Sequence, residues 1–109
     1  MEKVITRMWH GKTQIEDADE YLNFLRTIGI KDYQKTPGNL SIEVWRKKEK
    51  DICHFWTVTK WDSVESIQKF AGEDYEKARY YPEDKKYLLE FEEKVLHYET
   101  FVFNKITNA

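Results

Sequence analysis

The sequence predicts an α+β fold: one four-stranded antiparallel sheet with helices on a single face. Extended and helical runs follow one another in the order strand, helix, strand, strand, helix, strand, which is the order of a ferredoxin-like domain. The two middle strands lie close together around a charged turn at Lys48-Glu-Lys-Asp51, as in a hairpin. Two strands also carry bulky residues on both parities, so they require cover on both sheet faces.

The elements follow in chain order. Residues 3–10 (KVITRMWH) are rich in β-branched and aromatic residues and stop at Gly11, giving a first strand. Thr13 and Glu16 have the spacing of a capping box and predict a helix start. Ala18, Tyr21, Leu22, Leu25 and Ile28 then form one apolar helical face, which Gly29 closes. Residues 31–39 are polar, contain Pro37-Gly38, and predict a loop ending in a turn.

The hairpin strands span 40–48 and 52–61. On the second, Phe55 and Trp61 share one parity while Trp56 and Val58 share the other. Asp62 or Ser63 caps the next helix, whose buried face is Val64, Ile67, Phe70 and Ala71 and whose stop is Gly72. Residues 73–81 are irregular or helical. Pro82 opens a last helix over 83–91 with Tyr87, Leu88 and Phe91 inward. Residues 94–103 close the sheet, and 106–109 form a frayed or partner-contacting tail. The stretch 57–84 changes periodicity, turns on a glycine and carries aromatics along its length, so it is expected to wall any pocket.

At 109 residues the chain has room for one core and reads as one domain, 1–109. Eighteen basic residues against twenty acidic ones leave a charge of −2 and no basic stripe, which argues against nucleic acid and anionic membrane as partners. No signal-peptide core and no membrane-length apolar run is present. The single cysteine, Cys53, forms no internal disulfide and fits a reducing compartment, so a cytoplasmic protein is expected. The aromatic share of 16% is unusually high; large rings fill cores, and they also line apolar pockets and subunit interfaces. Helices cover only one face of the sheet, whereas Trp45, Trp56 and the last strand need cover on the other. Each large apolar side chain left in water forgoes about 1.5–3 kcal/mol. A homodimer through the sheet face follows as the expectation.

Six fragments in register carry a family resemblance: Trp9-His10-Gly11, Pro37-Gly38, Trp61-Asp62-Ser63, Phe70-Ala71-Gly72-Glu73-Asp74, Tyr81-Pro82-Glu83-Asp84 and Val95-Leu96-His97-Tyr98-Glu99. Over nearly all of 3–103 the chain resembles the antibiotic biosynthesis monooxygenase-like group of the dimeric α+β barrel superfamily. The resemblance implies a dimer whose two sheets form a barrel, with a small cavity in each subunit between sheet and helices. In the cofactor-independent monooxygenases of that group, the cavity binds a flat phenol or anthrone. Deprotonation then lets the carbanion react with dioxygen without flavin or metal. A related branch degrades haem with an Asn on the first strand and a Trp and a His after the third. Here Phe70 and Tyr80 fall at the latter two positions, and residues 4–10 contain no Asn. A non-catalytic binding or stress-response barrel is the alternative within the same superfamily.

His97 is the leading candidate for a general base, against a structural histidine bonded to a backbone carbonyl. Glu99 follows on the same strand face at roughly 7 Å, too far to orient it directly. Arg7 pairs with Glu99 or Glu43, or is solvated. Tyr80 offers a phenol to orient a substrate oxygen, or packs in the core or bonds the backbone through its hydroxyl. Trp9, Trp61 and Phe70 are pocket walls or plain core. His10 sits at a strand end that can approach His97. No cofactor is expected, and no metal site either. His10, His54 and His97 lack helical ligand spacing, although His54, His97 and Glu99 can be drawn as a triad. Cys53 reads as an inert thiol. The expected ligand is a small apolar or aromatic molecule.

Overall fold

The structure, a computed structural model, describes residues 2–104; the tail at 106–109 lies outside them. Strand β1 (Glu2–Gln14) leads through a 3₁₀ turn at Ile15–Asp17 into α1 (Ala18–Phe24), a π-helical turn at Leu25–Gly29 and α2 (Lys31–Lys35). The hairpin β2 (Asn39–Glu49) and β3 (Ile52–Trp61) follows, then α3 (Val64–Ala71), an irregular connection with a 3₁₀ turn at Pro82–Lys86, and β4 (Leu96–Val102). The four strands form one antiparallel sheet in the order β2-β3-β1-β4. The helices pack on one face, giving the ferredoxin-like α+β arrangement.

The strand parities sort as the sequence pattern requires. Phe55 and Trp61 are fully buried on the helix side, while Trp56 points to the outer face beside His10 and His54. One core cluster gathers Tyr21, Phe24, Phe55, Leu88 and Val95 around Trp9. A second gathers Tyr33, Trp61, Ile67 and Phe70. At the start of α3, Ser63 accepts the Ser66 amide at 3.2 Å, and Gly72 ends the helix at φ 91°, a conformation that favours glycine.

Four expectations are corrected, all but that for residues 31–35 by long-range pairing. β1 does not stop at Gly11, because Gly11 pairs with Phe55 and the register continues to Gln14 opposite Ile52. Glycine is required there for another reason. A Cβ would sit 2.4 Å from the Trp9 ring, which lies over the strand. Thr13 is consequently a buried strand residue whose hydroxyl donates to the Gln14 carbonyl, and no capping box forms. Residues 31–35 are helical rather than loop, continuing the first helix beyond its π turn.

The helix expected over 83–91 is cut to the 3₁₀ turn Pro82–Lys86. β4 pairs with β1 only as far as Met8, leaving the rest of that β1 edge with unpaired backbone groups. Residues 88–89 fill it: the Leu89 amide donates to the Lys12 carbonyl at 2.9 Å, and Leu88 bridges Thr13. Edge pairing there outweighs helix propagation, which adds only one bond per residue.

Candidate functional site

Between the sheet and the helical layer lies a cavity of about 40 Å³. Arg7, Trp9 and Thr57 form its sheet side. Tyr21, Phe24, Leu25, Gly29 and Tyr33 come from the first helical segment, Phe70 from α3, and Arg79, Tyr81 and Asp84 from the connection. The π turn that carries Leu25 and Gly29 to the cavity is a feature often found at functional sites. Five lining residues fall within 57–84, the stretch that the sequence singles out as a pocket wall.

The polar groups of the cavity divide into satisfied and unsatisfied ones. Asp84 is buried, yet both of its oxygens are engaged: Tyr21 Oη donates to Oδ1 at 2.9 Å and the Tyr81 amide donates to Oδ2 at 2.6 Å. Burial raises its pKa above the ordinary carboxylate value, with those two hydrogen bonds opposing. Tyr81 Oη donates to Asp32 at 2.5 Å, and Arg79 Nη1 donates to the Phe70 carbonyl at 2.8 Å.

Arg7 differs. It is 2% exposed, its Nε is buried without a hydrogen-bond partner, and Nη2 reaches only the Lys77 carbonyl at 3.4 Å. Its guanidinium lies 5.3 Å from the Phe70 ring centre and that of Arg79 lies 4.6 Å from it. Tyr33 stacks on the same ring, centroids 4.2 Å apart. Burial pulls the Arg7 pKa down, Tyr33 opposes this, and the charge of Arg79 adds to it. Neither carboxylate expected to pair with Arg7 does so: Glu99 binds Lys3 at 2.7 Å, and Glu43 accepts from Trp45 Nε1.

Of the residues singled out in the sequence, Arg7, Trp9 and Phe70 line the cavity, and Trp61, Tyr80 and His97 do not. Trp61 is fully buried and donates through Nε1 to Thr59 Oγ1 at 2.9 Å. Tyr80 Oη accepts from Trp9 Nε1 at 3.3 Å and donates to the Glu92 carbonyl at 2.6 Å, so its phenol braces Trp9 from behind. His97 is half-buried on the helix side of β4, opposite Arg7 and edge-on to Tyr75. Its Nε2 is buried and unpartnered, so it does not bond a backbone carbonyl through that nitrogen. Burial, and secondarily Arg7, lower its pKa below 6.5, against the pull of Glu76.

His10 and His54 stand on the opposite sheet face. His10 Nε2 lies 2.9 Å from His54 Nδ1, and His10 Nδ1 lies 2.5 Å from Glu92. This separation removes the triad of His54, His97 and Glu99, and it keeps His10 away from His97. Among the described residues no group of three or more His, Cys, Asp or Glu side chains is arranged to hold a metal ion. Cys53 is buried, and burial pushes its thiol pKa up.

Tyr21, Tyr33, Arg79, Tyr81 and Asp84 complete the cavity without having been chosen as site residues. Tyr21 carried a signal only as an apolar helix position. Tyr81 and Asp84 carried a signal only as part of the Tyr81-Pro82-Glu83-Asp84 fragment of the family resemblance.

No family model and no curated protein matches the chain. Solved structures do. A candidate antibiotic biosynthesis monooxygenase from Nitrosomonas europaea superposes with a TM-score of 0.64 at 10% identity, covering 94% of each chain. Another from Bacillus cereus gives 0.58 at 13% identity, covering 99% of this chain and 100% of its own. A heme-degrading protein from Mycobacterium tuberculosis gives 0.57 at 16% identity, with 99% and 100% covered. These superpositions, over nearly the whole chain, assign it the α+β fold that these proteins share, in keeping with its sheet order.

Proposed function

We propose that the chain is a cofactor-independent monooxygenase-like enzyme acting on a small, flat aromatic molecule in the cavity between its sheet and helices. The observation that carries this reading is the cavity wall itself: stacked and edge-on aromatic rings around one buried guanidinium. Apolar walls with few, fixed polar groups are the usual make-up of a small-molecule site. His97, which stands outside the cavity lining on the neighbouring strand, is the proton acceptor in this reading, met by a substrate that extends from the cavity past Arg7. It shares the helix side of the sheet with Arg7, and its lowered pKa keeps it neutral and able to accept a proton at pH 7. Arg7 then faces the negative charge that deprotonation creates, and Trp9 and Phe70 hold the ring. Trp61 and Tyr80 support those walls from behind.

The reaction such a site serves is R₂CH₂ + O₂ → R₂C=O + H₂O. The C–H proton passes to the base. The carbanion's electrons reduce dioxygen to a bound peroxide, and loss of water leaves the ketone, so no external reductant is consumed. The structural likeness to a heme-degrading protein does not extend this reading to haem. β1 holds no asparagine, and Phe70 and Tyr80 stand where the resemblance asks for Trp and His.

The working unit in this proposal is a homodimer formed through the outer sheet face, where Trp45, Leu96 and Tyr98 are exposed. The lone free thiol suits a cytoplasmic setting. No described helix is long and apolar enough to cross a membrane.

Oxygen uptake with an anthrone tests the reading. Turnover is expected in the wild type and should fall about 10²-fold or more in H97A, the usual worth of a general base. Saturable binding of the anthrone without oxygen uptake would instead identify a non-catalytic binding barrel.

A further inference from the structure

We infer that the cavity is an anion site, in which Arg7 receives the carboxylate of a small aromatic acid. This rests on reading the cavity as a ligand site and adds the charge of the ligand. Arg7 is 2% exposed and carries a buried Nε with no partner, and no ion pair among the described residues includes it. A guanidinium keeps its proton at neutral pH, and a buried charge without a partner is costly unless something pairs with it.

No carboxylate already in the cavity plays that part, and Tyr33, whose side chain supports the Arg7 charge, is a neutral phenol rather than a counter-ion. Asp84 is the one carboxylate of the lining, and its oxygens are taken by the Tyr21 hydroxyl and the Tyr81 amide. Arg79, the second cation of the lining, lies 3.7 Å from Asp32 and flanks the same Phe70 ring as Arg7. The cavity therefore presents two guanidiniums and one carboxylate that is already engaged. A ligand carboxylate supplies the missing partner, with the planar fork of Arg7 suited to two parallel hydrogen bonds. Tyr33, Phe70 and Trp9 offer ring faces to an aromatic body. At about 40 Å³ the cavity admits the carboxylate, and the proposal requires the Tyr33–Phe70 stack, closed here with centroids 4.2 Å apart, to part for the ring.

Calorimetric titration of the full chain with 2-naphthoate and with its neutral isostere 2-naphthamide tests the inference. The acid is expected to bind at least tenfold more tightly than the amide, R7Q should erase that preference, and R79Q should only reduce it. Equal binding of the two probes, binding of neither, or an undiminished preference in R7Q would overturn the inference. Should R7Q fail to fold, the wild-type ratio of acid to amide decides alone. Charge-selective binding without oxygen uptake on an anthrone fails the monooxygenase reading and leaves the anion site standing. Oxygen uptake with no preference for the acid does the reverse.

Discussion

Arg7 and His97 are directly opposed in the β1–β4 pairing, and each keeps a buried nitrogen without a hydrogen-bond partner. Opposed residues of an antiparallel pair project from the same face, so both lie on the helix side. Unsatisfied buried polar groups are uncommon in folded proteins. Here two of them lie on neighbouring residues of one face, the face on which the ligand site is proposed.

The low pKa of His97 makes stability depend on pH in a defined direction. The folded value lies below 6.5 because of burial and then Arg7. As pH falls from 6.5 toward that value, the unfolded chain binds a proton that the folded chain refuses, so stability falls. Above 6.5 the contribution is complete. Melting temperatures measured from pH 7.5 to pH 5 should drop more steeply in the wild type than in H97Q; parallel curves would remove His97 from this role.

Asp84 is expected to be a structural group, holding Tyr21 Oη and the Tyr81 amide together. D84A removes the acceptor of a helix-start amide and leaves a buried phenol unpaired, a loss of about 2–4 kcal/mol. For a domain of this size that is a fall in Tm of more than about 8 °C. Y21F alone should cost less, and the double variant less than the sum, because the two changes delete one shared bond. Strict additivity in thermal denaturation would show that the two residues act independently.

On the outer sheet face, Trp45 is 47% exposed, Leu96 58% and Tyr98 46%. Their cover by a second copy predicts a dimer in sedimentation equilibrium. L96E places a charge in that interface and should shift the equilibrium to monomer with little change in helical content. A wild-type monomer at tens of micromolar protein would end the proposal.

The hairpin, α3 and the split of Phe55 and Trp61 from Trp56 were legible in the residues, because each depends on a local period or a cap that neighbouring side chains supply. The end of β1 and the fate of 83–91 were not. Both depend on the β1 edge beyond Met8, where Leu88 and Leu89 compete for backbone groups across a sequence distance that no local pattern reports. Gly11 misled for the same reason, since its purpose is the space taken by the Trp9 ring.

Composition and periodicity alone were enough to specify an α+β sheet with one helical face and an aromatic interior, since burial by parity is a property of the chain's own alternation. Register and helix packing decided the rest. They set Arg7 against His97 and out of any ion pair among the described residues, sent His10 and His54 to the other face, and left Tyr80 behind Trp9 instead of in the cavity. Which polar atoms a fold leaves unpaired is settled by contacts between residues far apart in sequence, and so it emerges only when the chain is closed.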